Sequence, residues 1–335
     1  MESKNISLKD KIIKSAIQKY CHYKLGLIQT LISTKHKLSN LVETNYQLGV
    51  FHLNAHNMND AEFRFRIVLY FEPTHYNALY GLAKCLLAKK KIESAKKKLQ
   101  RALELKENFL EAQYLLTIIN QSGEIHEVPL SVIEEHYDSI APEFNETFSL
   151  KKGYRVAEYI SELLINQLDA KKTYDVLDIG CGTGKCGIAL AKKQHIKTLM
   201  GVDISSKMLI EAQKSLDGKP SHFNTLFHSD YSAFLSKTKQ KFDIVIAGSS
   251  LHFKKDLAKT LRDIVKVMRP KGHLVFAVEK SFDTSEINLN PDYENFCYNK
   301  EYVETSIRKS GLTLIDLGEM PINSSKIILV TICKK

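Results

Sequence analysis

The stretch Val176-Leu177-Asp178-Ile179-Gly180-Cys181-Gly182-Thr183-Gly184-Lys185-Cys186-Gly187 constrains this chain more than any other. An apolar run suited to a buried parallel strand leads straight into three alternate glycines and then into residues that begin a helix. Glycine tolerates positive φ and leaves bare backbone against which a ligand can lie. The free amides at the start of a helix complete such a cradle, which in doubly wound sheets lies outside the carboxyl end of the first strand. The motif therefore predicts an α/β sheet with a ligand at that edge.

Which ligand follows from what surrounds the glycines. A dinucleotide fingerprint needs Gly-x-Gly-x-x-Gly, but the residue three past Gly182 is Lys185, and Asp178 would set its charge against a pyrophosphate. A carboxylate there suits a cation, and S-adenosylmethionine carries an ammonium and a sulfonium. The stretch resembles the first motif of the class I S-adenosylmethionine-dependent methyltransferases, usually Val-Leu-Asp-x-Gly-Cys-Gly-Thr-Gly. That resemblance implies that Asp178, Gly180, Cys181, Gly182 and Gly184 hold the cofactor, and that no metal is required.

Downstream residues extend the pattern. Thr198 to Asp203 reads as a second strand ending in an acid, twenty-three residues after Gly180, where a carboxylate can accept hydrogen bonds from ribose hydroxyls. Ile204 beside it is placed against the adenine, and Ser205 caps the next helix. A third strand is expected over Phe223–Phe227. By the resemblance, Asp230 then meets the adenine amino group with Tyr231 beside the ring. Phe242–Ala247 is the fourth strand. Gly248 at its end is counted with the cofactor cradle, and the following Ser249 stands where many relatives carry Asp or Asn. His252 is the candidate base, its ordinary pKa of ~6.5 suiting proton removal, with a structural role as the alternative. Asp243 is expected to be structural. A helix through Leu257–Met268, a turn at Arg269–His273, a fifth strand at Leu274–Glu279 and a polar loop at 281–300 follow. A helix at Tyr302–Lys309 and strands at Leu312–Leu317 and Lys326–Cys333 would complete the family's seven-stranded sheet, its last strand antiparallel.

Ahead of this the chain repeats. Leu48-Gly49, Ala61, Phe65, Val68 and Pro73 are matched thirty-four positions later by Leu82-Ala83, Ala95, Leu99, Ala102 and Glu107. Small residues let antiparallel helices approach while large ones fill the gap between them. The pattern resembles tetratricopeptide repeats, with Asn45 and Glu107 departing from it. Residues 1–40 carry Ile6, Ile12, Ile13, Ile17, Leu25, Ile28, Leu31 and Ile32 at helical spacing, and Leu110–Leu116 opens a capping helix. The expected division is a helical repeat domain over 1–126 and a methyltransferase domain over 127–335. Lys84, Lys89, Lys90, Lys91, Lys96, Lys97, Lys98 and Arg101 make the repeats basic, as a solvated face or as a docking patch for acidic partners.

At the junction, His136-Tyr137-Asp138-Ser139-Ile140-Ala141-Pro142-Glu143-Phe144-Asn145 resembles a Tyr-Asp-x-x-Ala-x-x-Phe/Tyr segment that covers the cofactor in many methyltransferases. On that resemblance Tyr137 covers the cofactor or lines the acceptor channel, and Arg155, within Gly153-Tyr154-Arg155, meets the methionine carboxylate. The alternatives are packing for Tyr137 and a surface helix start for Arg155.

Composition limits the rest. At 335 residues, 44% apolar and 26% charged, the chain has material for two folded domains and no mark of disorder. The N-terminus, Met1 to Ile6, lacks a secretory pattern, and no run approaches the ~20 apolar residues of a membrane span. Six cysteines without Cys-x-x-Cys spacing suggest neither zinc nor disulfides, hence a cytoplasmic setting. The net charge of +10 admits nucleic acid without indicating it. The expected activity is methyl transfer from S-adenosylmethionine to a protein or small-molecule nucleophile, with the repeats recruiting a protein or peptide. A scaffold with a weakly active methyltransferase fold and a nicotinamide-dependent oxidoreductase are the alternatives.

Overall fold

The structure is a computed structural model that describes residues 40–55, 57–120, 125–145, 155–214, 222–282, 286–289, 295–323 and 326–335. The expected helices before residue 40, residues 121–124, Gly153-Tyr154 and residues 283–285 and 290–294 of the expected loop lie outside the described residues. The chain divides into two compact units, Met1–Ala112 and Gln113–Lys335.

The first unit is helical. A helix over residues 40–54 (α1) is followed by Met58–Phe71 (α2), Tyr76–Ala88 (α3) and Ile92–Leu105 (α4). A further helix, Leu110–Asn120 (α5), runs across the division between the units. The helices recur at the spacing read in the sequence: α2 and α4 begin at Met58 and Ile92, α3 and α5 at Tyr76 and Leu110. One aromatic accounts for the glycines. A Cβ on Gly49 would lie 2.7 Å from the Phe65 ring and one on Gly81 2.4 Å from it, so Phe65 is gripped between α1 and α3. Ala61, Ala83, Ala95 and Ala102 are wholly buried between the helices. Asn45, where the repeat pattern would place an aromatic, is buried and satisfied: Nδ2 donates to the Leu41 carbonyl and Oδ1 accepts from Arg64.

The second unit opens with Leu130–Ile140 (α6), a short turn of helix at Ala141–Glu143 and Val156–Ile165 (α7). Strands and helices then alternate: Tyr174–Ile179 (β1), Lys185–Ala191 (α8), Ile196–Asp203 (β2), Ser206–Gln213 (α9), Thr225–His228 (β3), Tyr231–Lys237 (α10), Phe242–Ala247 (β4), Leu257–Val267 (α11) and Met268–Glu279 (β5). After Ile287–Leu289 (β6) and Phe296–Tyr298 (β7) come Lys300–Lys309 (α12), Thr313–Asn323 (β8) and Lys326–Lys334 (β9).

The main sheet has seven strands in the order β3-β2-β1-β4-β5-β9-β8, and β9 runs antiparallel to both of its neighbours. Because β2 and β4 flank β1, the order reverses there and the carboxyl ends of these strands form the crevice. Val156, Ile160 and Leu164 of α7 pack with Leu190 of α8 on Val176, Leu199, Ile244, Ile246, Val275 and Ala277. Alternation along the strands turns Leu177, Ile179, Val245, Leu274 and Phe276 the other way, and all are buried.

Three expectations shift. The third strand begins at Thr225 and runs to His228, because Asn224 instead caps its neighbour, its side chain accepting from Leu199 N at 2.6 Å. The fifth strand begins at Met268, ahead of the expected turn, which it absorbs as a register shift with Lys271 at φ 64°. The expected loop at 281–300 contains the paired strands β6 and β7, and Tyr298 is fully buried with its hydroxyl donating to the Lys254 carbonyl at 2.6 Å.

Candidate functional site

The glycine loop follows β1 as the motif requires. Gly180, Gly182 and Gly184 take φ of 61°, 54° and 84°, where L-residues are strained. Their surroundings differ. A Cβ on Gly180 would lie 2.2 Å from Ser250 Cβ, and one on Gly184 2.6 Å from the Phe223 ring. A Cβ on Gly182 meets nothing within 4 Å. Two glycines are therefore fixed by packing, and Gly182 is where the loop opens onto space.

Two carboxylates frame this opening. Asp203, at the end of β2, accepts from Gly182 N through Oδ2 and from Ser205 N through Oδ1, each at 2.8 Å. Asp178 accepts from Gly187 N through Oδ2 at 2.9 Å, and its Oδ1 is buried without a hydrogen-bond partner. Burial pushes the Asp178 carboxyl up to about 7, with the nearby Asp203 adding to the rise and the Gly187 amide opposing it. Burial likewise raises Asp203, against the amides of Ser205, Gly182 and Ile204. A buried carboxylate with an orphan oxygen is costly unless a cation or donor reaches it. The residues present thus fit a ligand carrying an ammonium at Asp178 and hydroxyl donors at Asp203, which S-adenosylmethionine offers.

The remaining expected residues fall as follows. Cys181 is buried, its amide donating to the Val202 carbonyl at 3.1 Å, and burial raises its thiol as it does that of Cys186. Ile204 is half-buried and its carbonyl accepts from His228 Nε2 at 2.7 Å. Asp230 caps α10 by accepting from Ala233 N at 3.0 Å. Tyr231 is buried, with the Lys254 ammonium 5.5 Å from its ring centre. Gly248 is fixed by packing, since a Cβ there would lie 2.3 Å from Cys186 Sγ. Arg155 stands exposed at the start of α7.

Tyr137 and His252 each pack against the Phe253 ring. The His252 ring lies edge-on to Phe253 at 4.6 Å and Tyr137 edge-on to the same ring at 6.1 Å. His252, in the turn after β4, is buried, and Tyr137 reaches that turn from α6. Ser249 takes φ 115°, its amide donating to the Ala247 carbonyl in a three-residue turn at 2.9 Å. Sequence reasoning left four contributors unassigned: Ser250, whose hydroxyl donates to the Ile179 carbonyl at 2.6 Å, Thr183 of the loop, whose hydroxyl donates to Asn145, and Asp138, which accepts from the Ser205 hydroxyl beyond β2. The only signal for them was their place in or beside the motifs. Asp243 is structural: with Asp175 it flanks Arg269, at 2.6 and 2.8 Å, at the amino end of the strands.

Among the described residues, no three His, Cys, Asp or Glu side chains cluster to hold a metal ion, and no helix is long and apolar enough to cross a membrane.

Comparison with known proteins bears on the kind of domain. A family model described as a methyltransferase domain matches residues 177–274. A demethylmenaquinone methyltransferase of Lactobacillus johnsonii is 29% identical over 168 residues, 48% of this chain and 66% of its own. The putative methyltransferase YqeM of Bacillus subtilis is 33% identical over 116 residues, 33% of this chain and 45% of its own. The chain thus spans about half to two thirds of the length of these relatives. The crystal structure of the cyclase SpnF superposes with a TM-score of 0.52 at 15% identity, covering 63% of this chain and 97% of that one, which speaks for the fold alone. Residues 177–274 thus match a methyltransferase domain, and the relatives that this part of the chain resembles are methyltransferases.

Proposed function

We propose that the chain transfers a methyl group from S-adenosylmethionine to a nitrogen, oxygen or sulfur nucleophile of a small-molecule or protein acceptor. The observation that carries this reading is the buried, unpartnered Asp178 Oδ1 at the end of β1, together with the open backbone of Gly182, whose amide donates to Asp203. S-adenosylmethionine supplies the electrophilic methyl on a sulfonium. Asp178 takes the ammonium, Asp203 the ribose hydroxyls, and the amide of Gly182 holds Asp203 in the orientation that presents its remaining acceptor sites. Ile204 and Tyr231 flank the adenine, with Asp230 toward its amino group and Arg155 toward the methionine carboxylate. Alignment and exclusion of water are then the protein's main contribution to rate.

The acceptor side is the turn after β4, where Tyr137, His252 and Phe253 meet. His252 takes the proton that the nucleophile releases. A small or carrier-bound acceptor is favoured by relatives such as the demethylmenaquinone enzyme and a malonyl-[acyl-carrier protein] O-methyltransferase from Acetivibrio thermocellus, 24% identical over 187 residues.

We further propose that the helical unit is a tetratricopeptide-like array that recruits a protein or peptide. Its 34-residue helix spacing supports this, as does the basic character of residues 84–101, which hold eight lysines and arginines against the single acid Glu93. An acidic partner suits that balance.

Isothermal titration with S-adenosylhomocysteine tests the core of the reading. Saturable binding that Asp203→Ala weakens at least about tenfold, or ~1.4 kcal/mol, is expected. Equal affinity in parent and variant would place the pocket elsewhere. Labelled methyl transfer to candidate quinol, carrier-thioester and peptide acceptors then separates an active enzyme from a binding scaffold.

A further inference from the structure

The cradle is built from strand ends and a loop, yet one other segment touches all of them. Residues 126–145, which comprise α6 and the short helical turn after it, run past the carboxyl ends of four strands. Glu134 lies 3.8 Å from His228 at the end of β3. Asp138 Oδ1 accepts from Ser205 Oγ at 2.6 Å and from Lys207 N at 3.3 Å, just beyond β2. Asn145 Oδ1 accepts from Thr183 Oγ1 at 2.7 Å, and its carbonyl accepts from Lys185 Nζ at 3.5 Å, just beyond β1. Val128 N donates to the Phe253 carbonyl at 2.9 Å beyond β4, where Tyr137 also lies.

Two of these contacts close a ring of hydrogen bonds. From Asp138 the path passes to the Ser205 hydroxyl, then from Ser205 N to Asp203 Oδ1. Asp203 Oδ2 receives Gly182 N, and the adjoining Thr183 hydroxyl donates to Asn145, which the turn Ala141–Glu143 joins back to Asp138. The carboxylate framing the cradle is thus a link in a circuit whose other side is the overlying segment. The Asp138 bond is charge-assisted and sits at the amino end of α9, where a negative charge is favoured.

We propose that Asp138 and Asn145 are positioning residues that fasten residues 130–145 across the mouth of the cradle and so set how fast bound S-adenosylmethionine or its product leaves. This rests on the methyl-donor reading of the same site. Neither residue takes part in the chemistry. Because both fastenings lie on one circuit through Asp203, loss of either has most of the effect of losing both on release, while the contacts of Glu134 and Val128 still hold the start of the segment.

Surface plasmon resonance of S-adenosylhomocysteine on the immobilised full chain tests this. Asp138→Ala and Asn145→Ala should each raise the dissociation rate about tenfold with the association rate little changed. The double variant should release the ligand within about threefold of either single one. Asp138→Asn, which keeps an acceptor for the Ser205 hydroxyl, should restore most of the parent's slow release. A purely structural role would lower the melting temperature without this rescue pattern or this effect on release. Should Asp138→Ala fail to fold, Thr183→Val opens the ring at its other fastening and is expected to behave as Asn145→Ala. Parent-like release from Asn145→Ala and Thr183→Val overturns the proposal. A parent that binds no S-adenosylhomocysteine overturns the donor reading itself.

Discussion

The amide of Gly187 donates to Asp178 Oδ2 at 2.9 Å, so the first turn of α8 holds one oxygen of this buried carboxyl while the other has no partner. Burial pushes its pKa up to about 7, from an unfolded value of ~3.9. In the ligand-free chain the folded state therefore binds the extra proton between these values. The stability that this group contributes is full below about pH 4 and is lost as pH rises toward and through about 7, with a slope of at most ~1.4 kcal/mol per pH unit. Burial of Asp203 acts in the same direction. Urea denaturation of Asp178→Asn between pH 5 and 8 should show a flatter profile than the parent. Parallel profiles would refute this account. Donor binding should run the other way and strengthen as Asp178 ionises.

Gly180 and Gly182 separate packing from binding. Gly180→Ala drives a Cβ to 2.2 Å from Ser250 Cβ at a positive φ and should cost stability by several kcal/mol, read as a lowered urea midpoint. Gly182→Ala has room for its Cβ, so only the φ cost of about 1–2 kcal/mol falls on folding. Its methyl projects into the cradle, and S-adenosylhomocysteine affinity should fall at least about tenfold. Unchanged affinity would show that the ligand does not lie against this backbone.

In the helical unit, Gly81→Ala sets a Cβ 2.4 Å from the Phe65 ring. Overpacking of this kind typically costs ~1–3 kcal/mol, and Phe65→Leu in the same chain should return part of it. Thermal unfolding followed by circular dichroism gives the comparison. Additive losses in the double variant would argue against Phe65 as the wedge.

Arg269 bridges Asp175 and Asp243 at 2.8 and 2.6 Å. Burial alone would raise the Asp175 carboxyl, but hydrogen bonds from Thr198 and Arg269 hold it below its ordinary value. Its contribution is present above the unfolded pKa of ~3.9 and is lost as pH falls through the lower folded value. Arg269→Met should thus destabilise the chain at pH 7 by ~1 kcal/mol, a modest figure because the guanidinium is partly exposed. The gap between variant and parent should narrow below about pH 4. A constant gap down to pH 2.5 would point to packing rather than charge.

Much of this was legible in the residues. The β1 run and its alternate glycines announced both the sheet and the cradle, because a buried parallel strand and a positive-φ turn each leave a distinctive composition. That Asp203 ends the second strand beside the loop was legible from its spacing together with the first motif, since that strand must return beside the first. The 34-residue helix spacing was visible because small residues recur where helices touch. What escaped reading was set by tertiary contact. That Gly182 alone among the loop glycines faces open space depends on Ser250 and Phe223, which reach the loop from distant parts of the chain. Strands β6 and β7 went unread because three-residue pairs carry too little alternation to stand out from a polar loop. Asp138 and Asn145 sat inside a recognised stretch, but their partners lie 67 and 38 residues away.

The position of β9 bears on how the sheet is assembled during synthesis. Lys326–Lys334 lies between β5 and β8, both of which leave the ribosome before it does. Until it arrives, the edge of β5 through Leu274–Val278 exposes an apolar ladder of free amides and carbonyls, the kind of template on which neighbouring nascent chains pair. Slow translation of the stretch between β5 and β9 would lengthen that interval, and chaperone demand should rise with it.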